Sequence, residues 1–514
     1  MTQNERMSLP IWKKVIILII SIIVFLIQAF ILFILFDVSF TYSYSNIRWI
    51  YFLTLAIGFL YVLYILSKPM SVHYKLTWCI LILIFPLPFC LLYSLNSSSR
   101  RLSKRKQNII NNTIKNIKVN DSLSKLLEED KIGGNIVKAV QHNIFYPVWD
   151  NSKYTYFSDC NNKFNDLLEE LKLAKSFIYI EFFIIADGLL MTELYPILKQ
   201  KGEEGVEIKI LYDDIGSKGV MTRKLLKKIS EIPNCKINNY EPLGLNFNLL
   251  VNYRDHRKIF IIDGKIAYCG GDNLADEYIH KKIRFGHWRD NCGKFEGKIV
   301  DTFTFMFGQM WYISTKEKIE EKTYNNSLVY ENNGYMLAFG DGPLNNANPA
   351  YDLFQSLIAS AREYIYISTP YFIIDDSMID LLCLKIKSGV KVVLLTPGIP
   401  DKKTVFYMTR ANYRKILLAG GLIYEYSNGF NHAKNIIVDD KYAFIGTVNM
   451  DYRSLFLHYE CGALIINNPE ILKMQEDFLS AVNTSKLIEY DTWKKRPWYQ
   501  KIFAYILNFL APML

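Results

Sequence analysis

The stretch FNHAKNIIVDD, residues 430–440, sets His432 and Lys434 two positions apart in front of an apolar run that ends at Asp439. Residues i and i+2 of a β-strand point to the same face, so the imidazole and the ammonium project together while NIIV buries the strand. The chain repeats the arrangement in YRDHRKIFIIDG, residues 253–264, with His256, Lys258 and Asp263 at the same spacing. Each run ends in a turn, DG at 263–264 and DD at 439–440, and an apolar return strand follows, IAYCGG or YAFIG. Small residues and an asparagine close each copy: Gly270, Gly271 and Asn273 in the first, Gly446, Thr447 and Asn449 in the second.

Working outward, strand and helix signals alternate on both sides. KSFIYIEFFII (175–185) and GVEIKILYDD (205–214) read as strands flanking a helix. REYIYISTPYFII (362–374), a helix through Leu381–Lys387 and GVKVVLLTP (389–397) repeat that order in the second half. The expectation is an α/β chain made of two duplicated halves, with one site at their pseudo-twofold interface.

Lysine repels metal ions and no carboxylate cluster accompanies either pair, so no metal site is expected. A phosphate diester fits. Lys258 and Lys434 neutralise its oxygens, and Asn273 and Asn449 are the expected substrate-binding donors. His256 and His432 flank the phosphorus, one attacking and the other protonating the departing alkoxide. Each histidine needs a carboxylate to fix its tautomer. Glu460, in LHYE, is the expected orienter of His432, and Asp290, in HWRD, that of His256. Asp263 and Asp439 complete the six-residue catalytic set, read as hairpin-turn residues rather than proton carriers.

The chain has 514 residues, half of them hydrophobic, and a formal net charge of +10. That charge favours an anionic partner: nucleic acid, an acidic membrane surface or a phosphate-bearing substrate. Cysteines 79, 90, 160, 235, 269, 292, 383 and 461 form no CxxC pair and no zinc-ligand spacing, which suggests buried thiols. No P-loop or strand-linked GxGxxG is present, and no cofactor is expected.

Val15–Phe36 carries no formal charge and as a helix would extend about 33 Å, enough to span a bilayer. Further apolar runs cover about 49–66 and 76–93, the latter interrupted by Pro86 and Pro88. The expected organisation is a membrane anchor at 1–95, a basic linker at 96–144, two similar halves at 145–325 and 326–485, and an amphipathic interfacial segment at 486–514. Basic groups before the first run, between the second and third, and after the third favour two spans plus a kinked re-entrant segment. That topology puts the catalytic domain on the cytoplasmic face of the cell membrane.

The duplicated HxKxxxxD is the hallmark of the phospholipase D superfamily, which the chain resembles. LYDDIGS (211–217), HRKIFIIDGKIAYCGGDNLADEY (256–278), WRD (288–290), TPYFI (369–373), HAKNIIVDD with IGTVNMDYRS (432–454), KPMSVHYKLTWCILILIFPLP (68–88) and the closing APML are similar to bacterial cardiolipin synthases. The resemblance implies duplicated phospholipase D-like α-β-α sandwich halves forming one active site, preceded by N-terminal transmembrane helices. It implies phosphatidyl transfer between two phosphatidylglycerol molecules through a phospho-histidine, giving cardiolipin and glycerol. Phosphatidylglycerol and anionic membrane lipids are then the partners, and nucleic acid is not. Hydrolysis to phosphatidic acid and transfer to another alcohol are the alternatives. Three positions depart from the family pattern: Asp255 where Asn commonly precedes the first histidine, Asn431 where Leu precedes the second, and His458 where Asn is usual.

Overall fold

The computed structural model describes residues 23, 26–28, 30, 45–68, 72–99, 121–142, 146–240, 253–319, 330, 331, 333–343 and 348–511. The chain forms two compact units, one of residues 1–107, 243–252 and 506–514, the other of 108–242 and 253–505.

The larger unit holds both halves. In the first, β1 (Ser152–Phe157), β2 (Phe177–Phe182), β3 (Glu207–Asp213), β4 (Cys235–Tyr240), β5 (Lys258–Ile262), β6 (Ile266–Gly270) and β8 (Cys292–Gly297) make a seven-stranded sheet of order β1-β8-β6-β5-β2-β3-β4. β7 (His287–Arg289) lies outside it. In the second, β9 (Tyr335–Asp341), β10 (Tyr364–Ser368), β12 (Lys391–Pro397), β13 (Leu422–Tyr426), β15 (Asn435–Val438), β16 (Tyr442–Gly446), β18 (Glu460–Ile466) and β19 (Ser485–Leu487) make an eight-stranded sheet of order β9-β18-β16-β15-β10-β12-β13-β19. The orders match strand for strand apart from the extra β19. β2, β3 and β4 pair in parallel, as do β10, β12 and β13, and the hairpins β5–β6 and β15–β16 are antiparallel.

The turn residues of the two hairpins do the same work. Asp263 accepts from the amides of Lys175, Ser176 and Phe177, and Asp439 from those of Arg362, Glu363 and Tyr364. Both adopt φ of 52°, the left-handed conformation that Asp tolerates better than most residues in a tight turn. Each aspartate thus ties the far end of its hairpin to the start of the neighbouring strand, β2 or β10.

Helix Ile299–Thr315 lies against β5 and β8 of the first sheet and β9 of the second, while helix Glu470–Asn483 lies against β1 of the first and β10, β13 and β15 of the second. The sheets also touch directly, β6 against β16 and β18. There Cys269 Sγ and Cys461 Sγ approach to 3.6 Å, both buried; all eight cysteines are free. Short elements from different halves pair as well. β14 (Gly429–Asn431) runs parallel to β7, and Asp255 bridges to Tyr459. Within the second half, a small ladder joins β11 (Phe372–Ile373) to β17 (Met450–Asp451).

Residues 121–142, expected as the end of a linker, instead form helices Ser122–Glu129 and Lys131–Gln141. Asp130 caps the second by accepting from Ile132 and Gly133, and it also accepts from Tyr442 of β16, fixing these helices to the second half. Residues 100–120, the basic part of that segment, lie outside the described residues.

In the smaller unit, helices Ser45–Leu66, Val72–Ile84 and Pro86–Ser99 pack around Val62, Ile65, Tyr74, Trp78, Ile82 and Tyr93. The third apolar run is broken at Pro86, which removes a helical hydrogen bond, and Gly58 lets Pro86 approach closely. Among the described residues no helix is long and apolar enough to cross a membrane. The expected anchor Val15–Phe36 lies almost entirely outside the described residues. The chain closes with helices Tyr490–Lys494 and Trp498–Leu510, the latter exposing Trp498, Tyr499, Ile502, Tyr505 and Ile506.

Candidate active site

Lys258 opens β5, and His256 stands two residues before it. Lys434 and His432 sit in the same relation just ahead of β15. All four side chains are buried, the histidines at 8% and 9% exposure and the lysines at 1%. The lysines fold back onto the backbone they follow. Lys258 Nζ donates to the His256 carbonyl at 2.5 Å, and Lys434 Nζ donates to the His432 carbonyl. Aromatic rings form the walls, Phe183 at 5.0 Å from the His256 ring, with Trp288 and Tyr278 at 5.5 and 5.6 Å from that of His432.

The carboxylates do not pair as expected from the sequence. His256 Nδ1 lies 3.0 Å from both oxygens of Glu460, and His432 Nδ1 lies 2.6 Å from Asp290 Oδ2. Each half therefore orients the histidine of the other half, the reverse of the expected Asp290–His256 and Glu460–His432 pairs. The cause is backbone pairing across the interface. His256 N donates to the Tyr459 carbonyl and Tyr459 N to that of Arg254, which aligns the residue before Glu460 with the approach to His256. His432 N donates to the Arg289 carbonyl within the β7–β14 pairing, which does the same for Asp290.

Burial drives His256 down to about 3, against the opposing pull of Glu460, and burial with Lys434 and Lys258 holds His432 well below its ordinary value. Both rings are held neutral: His256 donates Nδ1–H to Glu460 and keeps a lone pair on Nε2, while His432 Nδ1 meets Asp290 Oδ2 on one side and Lys434 Nζ at 2.7 Å on the other. Burial pushes Glu460 up, but its close contact with the His256 ring, whose Nδ1 lies 3.0 Å from both oxygens, outweighs burial and holds the group below the usual carboxylate range. Burial raises Asp290 to about 6 despite Lys434, and lowers Lys434 to about 7 despite Asp290. The site thus places two neutral imidazoles beside two buried amines that can donate to phosphate oxygens, as phosphoryl chemistry requires.

Asp263 and Asp439 are not part of this arrangement. Seven positions along an extended chain, roughly 20 Å, separate each from its histidine, and their oxygens are occupied by the amides named above. The expected substrate donor Asn273 accepts from Ile184 N and donates to Tyr278 Oη, so its amide supports the wall. Asn449 differs: its buried Oδ1 has no partner among the described residues.

A family model described as "Cardiolipin synthase, PLD-like domain" matches residues 167–287 and 354–482. A cardiolipin synthase of Alkalihalophilus pseudofirmus is 32% identical over 447 residues, covering 85% of this chain and 88% of the relative. Cardiolipin synthase 2 of Bacillus anthracis is 38% identical over 358 residues, 68% of each chain. The chain belongs to the cardiolipin synthase family. An uncharacterized protein of Streptococcus mutans is 35% identical over 88% of this chain and 99% of its own. The crystal structure of phosphatidylserine synthase from Haemophilus influenzae superposes with a TM-score of 0.57 at 15% identity, covering 74% of this chain and all of that one, and shares the fold.

Two departures of this cardiolipin synthase family member acquire a physical account. Asn431 accepts from Arg289 Nη1 at 2.9 Å and donates to Ser368 Oγ and the Leu395 carbonyl, so it braces the residue next to Asp290. Asp255 sits beside buried Glu181, with Arg257 as the charge near both. Sequence reasoning missed Asp213, which accepts from Arg254 Nε at 2.8 Å and from the Asp255 amide at 3.0 Å, holding the approach to His256. The LYDD signal was visible, but its partner was not. It named Thr447 only as a small residue and missed that its hydroxyl donates to Glu460. The matching position in the first half, Gly271, leaves no room for a Cβ beside Asp290.

Proposed function

We propose that the chain is a cardiolipin synthase that transfers a phosphatidyl group from one phosphatidylglycerol to the headgroup hydroxyl of another, releasing glycerol. The carrying observation is the pair of buried neutral histidines, each held through Nδ1 by a carboxylate of the opposite half. His256 Nε2 attacks the phosphorus, and the P–O bond to the glycerol headgroup breaks. His432, which gains a proton as the anionic diester enters beside Lys258 and Lys434, gives that proton to the departing alkoxide. The second phosphatidylglycerol then offers its hydroxyl, His432 takes the proton back, and the alkoxide attacks the phospho-histidine to give cardiolipin and free His256. One diester replaces another, so no nucleotide is consumed.

The exposed apolar residues of helices Ser45–Leu66 and Trp498–Leu510 support a membrane location, with Lys494 and Lys495 suited to anionic headgroups. Such a location presents both lipid substrates to the site. Purified protein in phosphatidylglycerol vesicles tests the reading. Cardiolipin and free glycerol should appear in equal amounts, whereas phosphatidic acid without cardiolipin would make the chain a hydrolase.

A further inference from the structure

His458 is the residue the proposed reaction leaves unused. Its ring centre lies 5.4 Å from that of His256, and its Nδ1 lies 3.6 Å from Glu460 Oε1, too long for a hydrogen bond. Both ring nitrogens are buried without a hydrogen-bond partner among the described residues, although the side chain keeps 11% exposure. A buried imidazole with neither nitrogen satisfied is costly unless something binds it. Three donor atoms, one each from His256, His458 and Glu460, lie within 4.8 Å of one another.

The two histidine-to-Glu460 separations suit a small tetrahedral ion. Zinc bonds of about 2.0–2.2 Å place adjacent donors roughly 3.3–3.5 Å apart. The observed 3.0 Å from His256 Nδ1 to Glu460 and 3.6 Å from His458 Nδ1 to Glu460 bracket that value. Two imidazoles and one carboxylate are a donor set that zinc accepts and that magnesium and calcium, which prefer all-oxygen shells, do not. Lys258 and Lys434 oppose any cation here, so only an ion with strong affinity for imidazole competes.

We propose that His256, His458 and Glu460 form an inhibitory site for zinc or a similar imidazole-binding divalent ion. The ion takes the place of the Nδ1 proton of His256. That proton moves to Nε2, so the lone pair that would attack phosphorus becomes an N–H. The ring keeps one proton and remains neutral, but in the unreactive tautomer. The inhibition rests on His256 acting in the reaction proposed above; the binding itself does not.

The experiment uses the full chain in detergent micelles with Co²⁺ as an optical stand-in for zinc, and separately measures inhibition by buffered Zn²⁺. Wild type should take up one Co²⁺ with the strong visible bands of a four-coordinate ion, whether or not the preparation makes cardiolipin. His458→Gln should lose those bands and require at least about tenfold more Zn²⁺ for half-inhibition, and a chelator should restore wild-type activity. Mg²⁺ should do neither. Absence of four-coordinate bands in wild type would overturn the proposal, a reading independent of how the variant folds. Equal zinc sensitivity in wild type and a folded His458→Gln would overturn it too.

Discussion

His256 and Glu460 stand 204 positions apart, yet His256 Nδ1 is 3.0 Å from both carboxylate oxygens. His432 and Asp290 repeat the relation at 2.6 Å across 142 positions. Neither half carries a complete histidine–carboxylate pair, so each contributes its histidine to one pair and its carboxylate to the other.

The orienting carboxylates should therefore act on turnover rather than on binding. Glu460→Gln and Asp290→Asn keep the shape but no longer hold Nδ1–H in place, so each should lower kcat by about 10²–10⁴-fold while KM changes little. Steady-state kinetics on phosphatidylglycerol micelles give both numbers. A variant that raises KM and leaves kcat intact would point to a lipid-binding role instead.

Activity should have a narrow pH window. Asp290 at about 6 and Lys434 at about 7 predict that kcat/KM falls below the first value, as the carboxylate is protonated, and above the second, as the amine loses its proton. Lys434→Arg keeps its charge and should carry the alkaline limb upward. An alkaline limb unmoved by that change would assign it to another group.

Acid should weaken the fold through His256. Its folded value of about 3 lies below the ordinary 6.5, so the unfolded chain binds the extra proton first. The stability conferred by keeping the ring neutral is complete above pH 6.5 and is lost as pH falls toward 3. Denaturant midpoints of wild type should drop over that range, and His256→Asn should show a flatter dependence.

Asp263→Ala and Asp439→Ala should damage stability more than chemistry. Each removes the acceptor of three backbone amides, with an expected cost of about 1–3 kcal/mol. Thermal melts should shift downward, whereas activity per folded molecule should stay near that of wild type. Complete loss of turnover in a well-folded Asp263→Ala would return that residue to the catalytic set.

Asn431→Leu should cost both. It leaves Arg289 Nη1 without its 2.9 Å acceptor beside Asp290, with an expected loss of about 1–3 kcal/mol in stability and a lower kcat. Arg289→Lys combined with Asn431→Leu should lose less than the sum of the single changes, which a double-mutant cycle measures.

The sequence by itself determined what depends on neighbours along the chain. The two-residue spacing set His256 beside Lys258 and His432 beside Lys434, although β5 begins only at Lys258 and β15 at Asn435, and turn chemistry put Asp263 and Asp439 at the hairpin tips. The repeat of those patterns was enough to expect two matching sheets. What the tertiary structure alone decided is which carboxylate meets which histidine, what Asn431 holds and what His458 faces. Those contacts are made between halves, through the β7–β14 pairing and the Asp255–Tyr459 bridge, where no periodicity along the chain carries the register. Strand pairing across an interface is fixed by the packing of two finished sheets, and that packing crosswise couples each histidine to the carboxylate of the opposite half.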